Sequence, residues 1–142
     1  MRDFANSIHL ARAISPAAAV TDNTPYVSQI IDLLGYEGLV FAILLGALVD
    51  ADATFTVLVE HGDESNLSDA AAVPDQFLTG TEALAAFTFA ADDKTRKIGY
   101  VGSKRYVRLT ITPANNSGNV FLAVAALLLG PRYSPTPNPP VA

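Results

Sequence analysis

The sequence contains no cysteine, no tryptophan and only two histidines among its 142 residues. Without thiolates the chain can form neither a disulfide framework nor a cysteine-bound metal site. The histidines, His9 and His61, stand far apart, and neither belongs to a metal-ligand spacing or to a Ser/His/Asp pattern. Because His61 opens the turn-forming segment HGDESN, it is predicted to be a solvent-exposed turn residue. The composition predicts a protein that is not an enzyme and that holds no metal or cofactor.

Charged residues are also scarce, at 16% of the chain, whereas apolar residues make up 50%. A chain of this length and apolar content is expected to form one domain with a substantial core. So few charges leave little polar material for the outside of the molecule. We therefore expect some apolar surface to be hidden against another chain.

The few charges are segregated along the chain. No lysine or arginine lies between Arg12 and Lys94, while 13 of the 14 acidic residues do. Such an asymmetry favours oriented docking between complementary protein surfaces, with chance placement on solvated strands as the alternative. Six of the nine basic residues lie between Lys94 and Arg108. Five of these are predicted to contact an acidic partner surface: Lys94, Arg96, Lys104, Arg105 and Arg108.

The acidic residues show no ordered set of metal ligands. Three pairs flank predicted turns, and none matches a calcium loop such as the EF-hand. They are interpreted as ordinary surface acids, with a structural calcium site as the alternative. The pairs are Asp50/Asp52, Asp63/Glu64 and Asp92/Asp93.

Long hydrophobic runs are missing as well. The two longest, Leu39 to Val49 and Val120 to Leu129, fall short of the roughly 20 residues that a membrane helix needs. The N-terminal residues lack the charged-then-apolar pattern of a secretion signal. A soluble, unsecreted protein with no membrane partner is therefore expected.

What the chain does contain is a hydrophobic period of two. Residues 53–60, 96–101 and 105–112 alternate as half-buried strands do, and turn-forming residues separate them. Residues 69–86 are less regular and leave room for a short helix. About eight short strands predict an all-β fold, a jelly-roll-like antiparallel β-sandwich or a related Greek key.

Two segments, residues 39–48 and 120–129, are apolar on both faces. They are predicted to be strands covered on both sides, with a helix as the competing interpretation of the second because it is rich in alanine and leucine. One face of each strand should belong to the core and the other to a subunit interface, and the sequence does not show which. The candidate interface residues are Phe41, Ile43, Leu45, Phe121, Ala123 and Leu127.

Extended arms are predicted at both ends of this sandwich. Residues 1–27 form an N-terminal arm with at most one short strand near residues 8–13, residues 28–131 form the sandwich, and residues 132–142 form a proline-rich tail. Phe4, Ile8 and Tyr133 are predicted to act as tethers within these arms.

The most patterned stretch, KIGYVGSKRYVRLTITP (residues 97–113), places basic residues beside aromatic ones. Such strands occur in nucleic-acid binders that stack bases. Alternation, however, gives a polar strand face with two or three cations instead of a continuous basic groove. The chain is also acidic, with a net charge of −5, which opposes binding to phosphate backbones. No nucleic-acid partner is expected.

Four segments together resemble a known family: IIDLLGYEGLVFAILLGAL, DADATFTVLVEHGDES, KIGYVGSKRYVRLTITPANNSGN and AVAALLLGPRYSP. They cover most of residues 28–134 and resemble the capsid cement or decoration proteins of tailed bacteriophages. The nearest architecture is that of the cement protein of the Bordetella tropism-switching phage. The parts that carry the resemblance best are residues 50–60 and 98–113, which are strand and turn signatures and not catalytic motifs.

The resemblance implies a jelly roll that binds the outside of an HK97-type capsid and ties neighbouring major capsid protein subunits together. It implies a virion location on the capsid exterior, with the host cytoplasm as the site of assembly, and a homodimer in the nearest example. The alternatives are another virion component, such as a head fibre base or tail module, or a jelly-roll carbohydrate-binding module.

Overall fold

A computed structural model describes residues 3–140. Most of its regular structure is β-strand, with one short α-helix, α1 (Glu82–Ala85), and three 3-10 turns of three residues each. The strands in chain order are β1 (Ile8–Ile14), β2 (Tyr26–Val27), β3 (Ile31–Asp32), β4 (Gly38–Leu48), β5 (Thr54–Gly62), β6 (Ala71–Ala72), β7 (Leu78–Thr79), β8 (Phe87–Thr88), β9 (Thr95–Tyr100), β10 (Tyr106–Ala114) and β11 (Val120–Leu129).

The strands form two antiparallel sheets. The five-stranded sheet has the order β1-β11-β4-β9-β7, and the six-stranded sheet has the order β2-β10-β5-β6, with β3 also paired to β10 and β8 to β5. In the described part of the chain every named strand pair is antiparallel. This architecture confirms the predicted all-β, jelly-roll-like antiparallel sandwich.

The core lies between the two sheets and is built by alternate residues. Phe41 and Ile43 of β4 face Val59 of β5 and Leu109 and Ile111 of β10 across the sandwich, and all five side chains are fully buried. Removing one such side chain from water contributes about 1.5–3 kcal/mol. The alternation predicted for β5 and β10 is therefore the pattern that fills this core.

The long predicted strands are confirmed, including the one with a helical alternative. Residues 120–129 form β11, which pairs with β1 on one side and with β4 on the other. Pairing on both sides satisfies the backbone of β11, so the helix propensity of its alanines and leucines is overridden. The short helix allowed within residues 69–86 is α1, whose Thr81 side chain accepts the N–H of Leu84.

The two predicted arms lie against the sandwich along part of their length. The strand predicted near residues 8–13 is β1, an edge strand of the five-stranded sheet, so the N-terminal arm contributes to the sandwich. In the C-terminal tail, Thr136 is buried, and its N–H donates to the Asn6 carbonyl at 3.0 Å. Its hydroxyl donates to the carbonyl of Ile8. Residues 1–2 and 141–142 of the predicted arms lie outside the described residues.

Candidate protein-binding face

The outer face of the five-stranded sheet, on the side away from the core, is apolar. It is formed by the alternate residues of β1, β11 and β4 that do not enter the core. Leu10, Leu44 and Phe121 on these strands are 49%, 53% and 43% exposed. We call this surface the apolar face; its remaining apolar residues are Ile8, Val40, Ala42, Ala123, Ala125, Leu127 and Leu129.

This sheet carries no acidic residue in any of its five strands. Its strands contain three cations, Arg12, Arg96 and Lys97. The chain as a whole has 14 acidic residues against nine basic ones, so the surface of this sheet differs in sign from the rest of the molecule. A surface that carries cations but no carboxylates is complementary to a partner surface that carries carboxylates.

One register row crosses the middle of the apolar face. Arg12 pairs with Ala125, Ala125 with Ala42, and Ala42 with Lys97. Because paired residues share a face of a sheet, two alanines lie between two cations, and strand spacing places the outer Cα atoms about 14 Å apart. Within residues 3–140, ion pairs involve three other cations and neither Arg12 nor Lys97.

Two shallow depressions adjoin this row. One has a volume of about 360 Å³ and is bordered by Leu10 and Arg12. The other measures about 240 Å³ and is bordered by Phe121. Pro16, Leu44 and Ala123 line both depressions, so they form one continuous trough over small residues. Such a trough can receive apolar side chains of a partner.

The outer face of the six-stranded sheet is chemically different. Its alternate residues include Thr54 and Thr56 of β5 beside Thr110 and Thr112 of β10, with Leu58 at 36% exposure as the large apolar residue on β5. Two outer faces of one sandwich thus differ in polarity. The six-stranded sheet presents the hydroxyls and ion-paired charges of a solvated surface, whereas the five-stranded sheet presents the apolar face.

The predicted interface residues divide between the core and the apolar face. Phe41, Ile43 and Leu45 are buried in the core, so their prediction as interface residues is wrong. The reason is register: Ile43 pairs with Val124, which places the odd-numbered residues of β4 on the same face as the even-numbered residues of β11. The other three predicted residues, Phe121, Ala123 and Leu127, lie on the apolar face, where their role in an interface stays a prediction.

Three of the five predicted contact cations are paired with acids of the same chain. Lys104 Nζ lies 2.6 Å from Asp63, Arg105 donates two hydrogen bonds of 2.8 Å to Asp32, and Arg108 lies 3.0 Å from Glu60. The Arg105 guanidinium also lies over the Tyr106 ring, 5.0 Å from its centroid. The three acids belong to the acidic interval between Arg12 and Lys94. Basic and acidic residues that are segregated along the sequence are therefore paired within one molecule. The structure places these three cations in intrachain contacts, and partner contact by any of them stays a prediction.

Two of these ion pairs shift the pKa of one of their members. Hydrogen bonds from Arg105 lower the pKa of the Asp32 carboxyl below its ordinary value. The hydrogen bond to Asp63 raises the pKa of Lys104. Both changes favour the charged forms of Asp32 and Lys104. Of the other two predicted cations, Lys94 is exposed and Arg96 donates to the carbonyl of Thr95 at 3.0 Å.

His61 is not the exposed turn residue that the sequence predicts. It is the penultimate residue of β5 and is buried, and its Nδ1 lies 2.8 Å from the Tyr100 hydroxyl. Burial lowers the pKa of the His61 imidazole, and the charge of Lys104 lowers it further. His61 therefore joins the two sheets as a neutral structural residue.

The predicted tethers differ in position. Phe4 is 50% exposed and Tyr133 is 81% exposed, both beside the sandwich. Ile8 begins β1 and pairs with Leu129, which places it on the apolar face. These three residues could extend contacts beyond the sheet, and their tethering role stays a prediction.

A separate cleft of about 470 Å³ opens at the edge of the sandwich between β1 and the β3 region. His9, Gln29 and Tyr36 line it, and Pro140 of the tail closes one side. The His9 ring lies against that of Tyr36, with 5.6 Å between centroids, and its Nδ1 is buried without a hydrogen-bond partner among residues 3–140. In residues 3–140, no three His, Asp or Glu side chains come close enough together to hold a metal ion. The described chain also has no helix of the length and hydrophobicity that a membrane crossing requires.

Sequence reasoning missed the two cations Arg12 and Lys97 that end the central row. It also missed six apolar residues of the face, which are Leu10, Val40, Ala42, Leu44, Ala125 and Leu129. The distribution of charges along the sequence could have indicated part of this face, because the segments that form the sheet contain no Asp or Glu. Which of those segments are neighbours depends on long-range strand pairing, which periodicity does not reveal.

No protein-family model and no curated protein sequence matches the chain. Among solved structures, the chain is similar to the CBM22-1 and GH10 modules of a Clostridium thermocellum endo-1,4-beta-D-xylanase complexed with xylohexaose. The sequence identity is 9%, the alignment covers 91% of this chain and 27% of that chain, and the TM-score is 0.46. It is also similar to a family GH115 4-O-methyl-alpha-glucuronidase with specificity for decorated arabinogalactans. There the sequence identity is 12%, the alignment covers 84% of this chain and 17% of that chain, and the TM-score is 0.44. The xylan-binding module CBM15 aligns at 9% identity over 92% of this chain and 95% of that chain, with a TM-score of 0.40.

The chain thus spans 27% and 17% of the first two proteins. Similarity at these identities and TM-scores carries no argument about function. The fold is assigned from the strand pairing itself.

Proposed function

We propose that this chain is a structural protein of a tailed-phage virion that is not an enzyme. It binds the outside of an HK97-type shell and cements neighbouring major capsid protein subunits. The observation that carries the proposal is the apolar face, an acid-free surface on a chain with a net charge of −5. The family resemblance of residues 28–134 supplies the kind of partner.

The dimensions of the apolar face support a role in binding another protein. The three strands β1, β11 and β4, about 4.8 Å apart and some eight residues long, cover roughly 10 by 25 Å, or about 250 Å² of sheet. A standard interface buries about 800 Å² on each partner. The apolar face supplies the centre of such an interface, and the flanking segments must supply the remainder. Pro16 borders the trough, and Ile8 and Leu10 extend the face along β1.

A cement protein acts through summed contacts over area and needs no reacting group. The resemblance also implies a homodimer. That expectation does not depend on the apolar face, and sedimentation equilibrium of the purified chain measures it.

Cryo-electron microscopy tests the proposal. Empty shells would be assembled from an HK97-type major capsid protein of a tailed phage whose genome encodes this chain, mixed with the purified chain and imaged. The proposal predicts density for the sandwich at repeated positions over the whole shell, with the five-stranded sheet facing the shell. Density confined to a vertex or tail would identify another virion component, and an absence of added density would contradict the proposal.

A further inference from the structure

The row Arg12–Ala125–Ala42–Lys97 also bears on the identity of the partner. It lies at the centre of the apolar face, and a cation ends it on each side. Both cations belong to exposed residues. Any chain that covers the alanines must come close to both charges, and must either pair them or remove part of their hydration.

A second copy of this chain does not provide the missing carboxylates. Two identical faces related by a twofold axis parallel to the strands place Arg12 opposite the partner's Lys97. An axis along the row places each cation opposite its own counterpart. At other axes that keep each cation over the partner's strands, it meets no carboxylate, because the strands of this sheet contain no Asp or Glu. Like charges in direct opposition cost several kcal/mol, so self-pairing centred on this row is disfavoured.

We infer that the centre of the apolar face binds a different protein chain, one that places carboxylates opposite Arg12 and Lys97 around an apolar contact. The inference rests on the proposed function, in which that chain is a shell subunit. It makes the row a determinant of specificity, because the alanines admit close approach while the cations select against copies of the same chain. A dimer of this chain, where one forms, uses another surface.

Charge reversal on the row tests the partner's chemistry. The double variant Arg12→Glu/Lys97→Glu, the neutral variant Arg12→Gln/Lys97→Gln and the wild type would be titrated onto the assembled shells in a co-sedimentation assay. We expect the reversed variant to lose at least about tenfold in affinity and the neutral variant to lose less. Arg132→Glu is the matched control, because Arg132 is exposed, forms no ion pair within residues 3–140 and lies outside the five-stranded sheet.

Self-association tests the exclusion of a second copy. The single variant Arg12→Glu puts a carboxylate where it can oppose Lys97 of another copy, and the double reversal restores like charges. Sedimentation equilibrium should show an association constant at least about tenfold higher for the single variant than for the wild type. The double reversal should return the constant to the wild-type value, which a general effect on folding would not reproduce.

The outcomes separate this inference from the proposed function. If the wild type does not bind the shells, the proposed function fails. If the wild type and the reversed variant bind the shells equally, the inference is overturned while the proposed function stands. The inference is also overturned if the wild type forms a dimer that Leu44→Asp abolishes, or if the single reversal leaves self-association unchanged.

Discussion

The hydroxyl of Tyr100 lies 2.8 Å from Nδ1 of His61, and the ring planes meet at 88°. The same hydroxyl accepts the backbone N–H of Lys104 at 3.1 Å. One buried side chain therefore links β5 of one sheet to β9 of the other and to the turn that follows β9. The turn also requires glycine at position 102, because a Cβ atom there would lie 2.4 Å from the Tyr100 hydroxyl oxygen.

Replacing Tyr100 with phenylalanine should destabilise the protein. Tyr100→Phe keeps the ring but leaves His61 Nδ1 and the Lys104 N–H without their partner, and each buried unsatisfied group costs about 1–3 kcal/mol. Urea denaturation would measure the change in the free energy of unfolding. Tyr106→Phe is the matched control, with almost no expected change, because its hydroxyl forms no hydrogen bond within the described residues. Equal losses in both variants would contradict the role given to the Tyr100 hydroxyl.

Stability should decrease as the pH falls below 6.5. Burial lowers the pKa of His61 in the folded protein from its ordinary value of 6.5, Lys104 lowers it further, and Asp63 and Asp69 oppose the change. The unfolded chain therefore binds the proton more readily than the folded one, so the contribution of His61 is complete above pH 6.5 and is lost as the pH falls from 6.5 toward the folded pKa. Denaturation between pH 8 and pH 5 measures this slope. It should be shallower in His61→Gln, and an identical slope in that variant would assign the effect to other groups.

Alanine substitutions can test which face of β4 and of β11 lies in the core. Phe41 is fully buried and Phe121 is 43% exposed. Phe41→Ala should cost about 3–5 kcal/mol through lost burial and the cavity left behind, whereas Phe121→Ala should cost about 1 kcal/mol or less. Thermal or urea unfolding gives both values. The opposite order would mean that the register between β4 and β11 is wrong.

The ion pairs should differ in their sensitivity to salt and substitution. Arg108 and Glu60 are 25% and 21% exposed, whereas Lys104 and Asp63 are 42% and 60% exposed. Glu60→Gln leaves a partly buried guanidinium without its counter-charge and should cost about 1 kcal/mol or more. Asp63→Asn should have a smaller effect, which 0.5 M salt removes by screening. Equal losses of stability in the two variants at both salt concentrations would contradict the expected difference between the two ion pairs.

Much of the fold could be predicted from the sequence because the signal for it is local. Alternation in residues 53–60 and 105–112 identifies β5 and β10, since a strand exposes its side chains to two faces in turn. Turn residues mark where these strands end. Residues 39–48 and 120–129 could be identified as strands, but their two faces could not be assigned, because both are apolar and the assignment depends on partners distant in the chain.

The site was less accessible to sequence reasoning for the same physical reason. The sequence predicts a turn residue at His61, because its hydrogen-bond partner, Tyr100, lies 39 positions away and leaves no local signal. Lys104, Arg105 and Arg108 formed a basic cluster in sequence, and folding pairs each of them with an acid from a distant segment. Arg12 and Lys97 were not recognised as a set because only the order β1-β11-β4-β9 brings them into one row.

The most direct test of the central claim compares two aspartate substitutions on opposite outer faces. Phe121→Asp places a carboxylate on the apolar face, and Leu58→Asp places one on the outer face of the six-stranded sheet. Both sites are exposed strand positions, so both variants should fold, as circular dichroism and urea denaturation would verify. Co-sedimentation with the same HK97-type capsid shells would then measure binding. The account predicts that Phe121→Asp abolishes binding while Leu58→Asp binds as the wild type does, and the reverse result would contradict it.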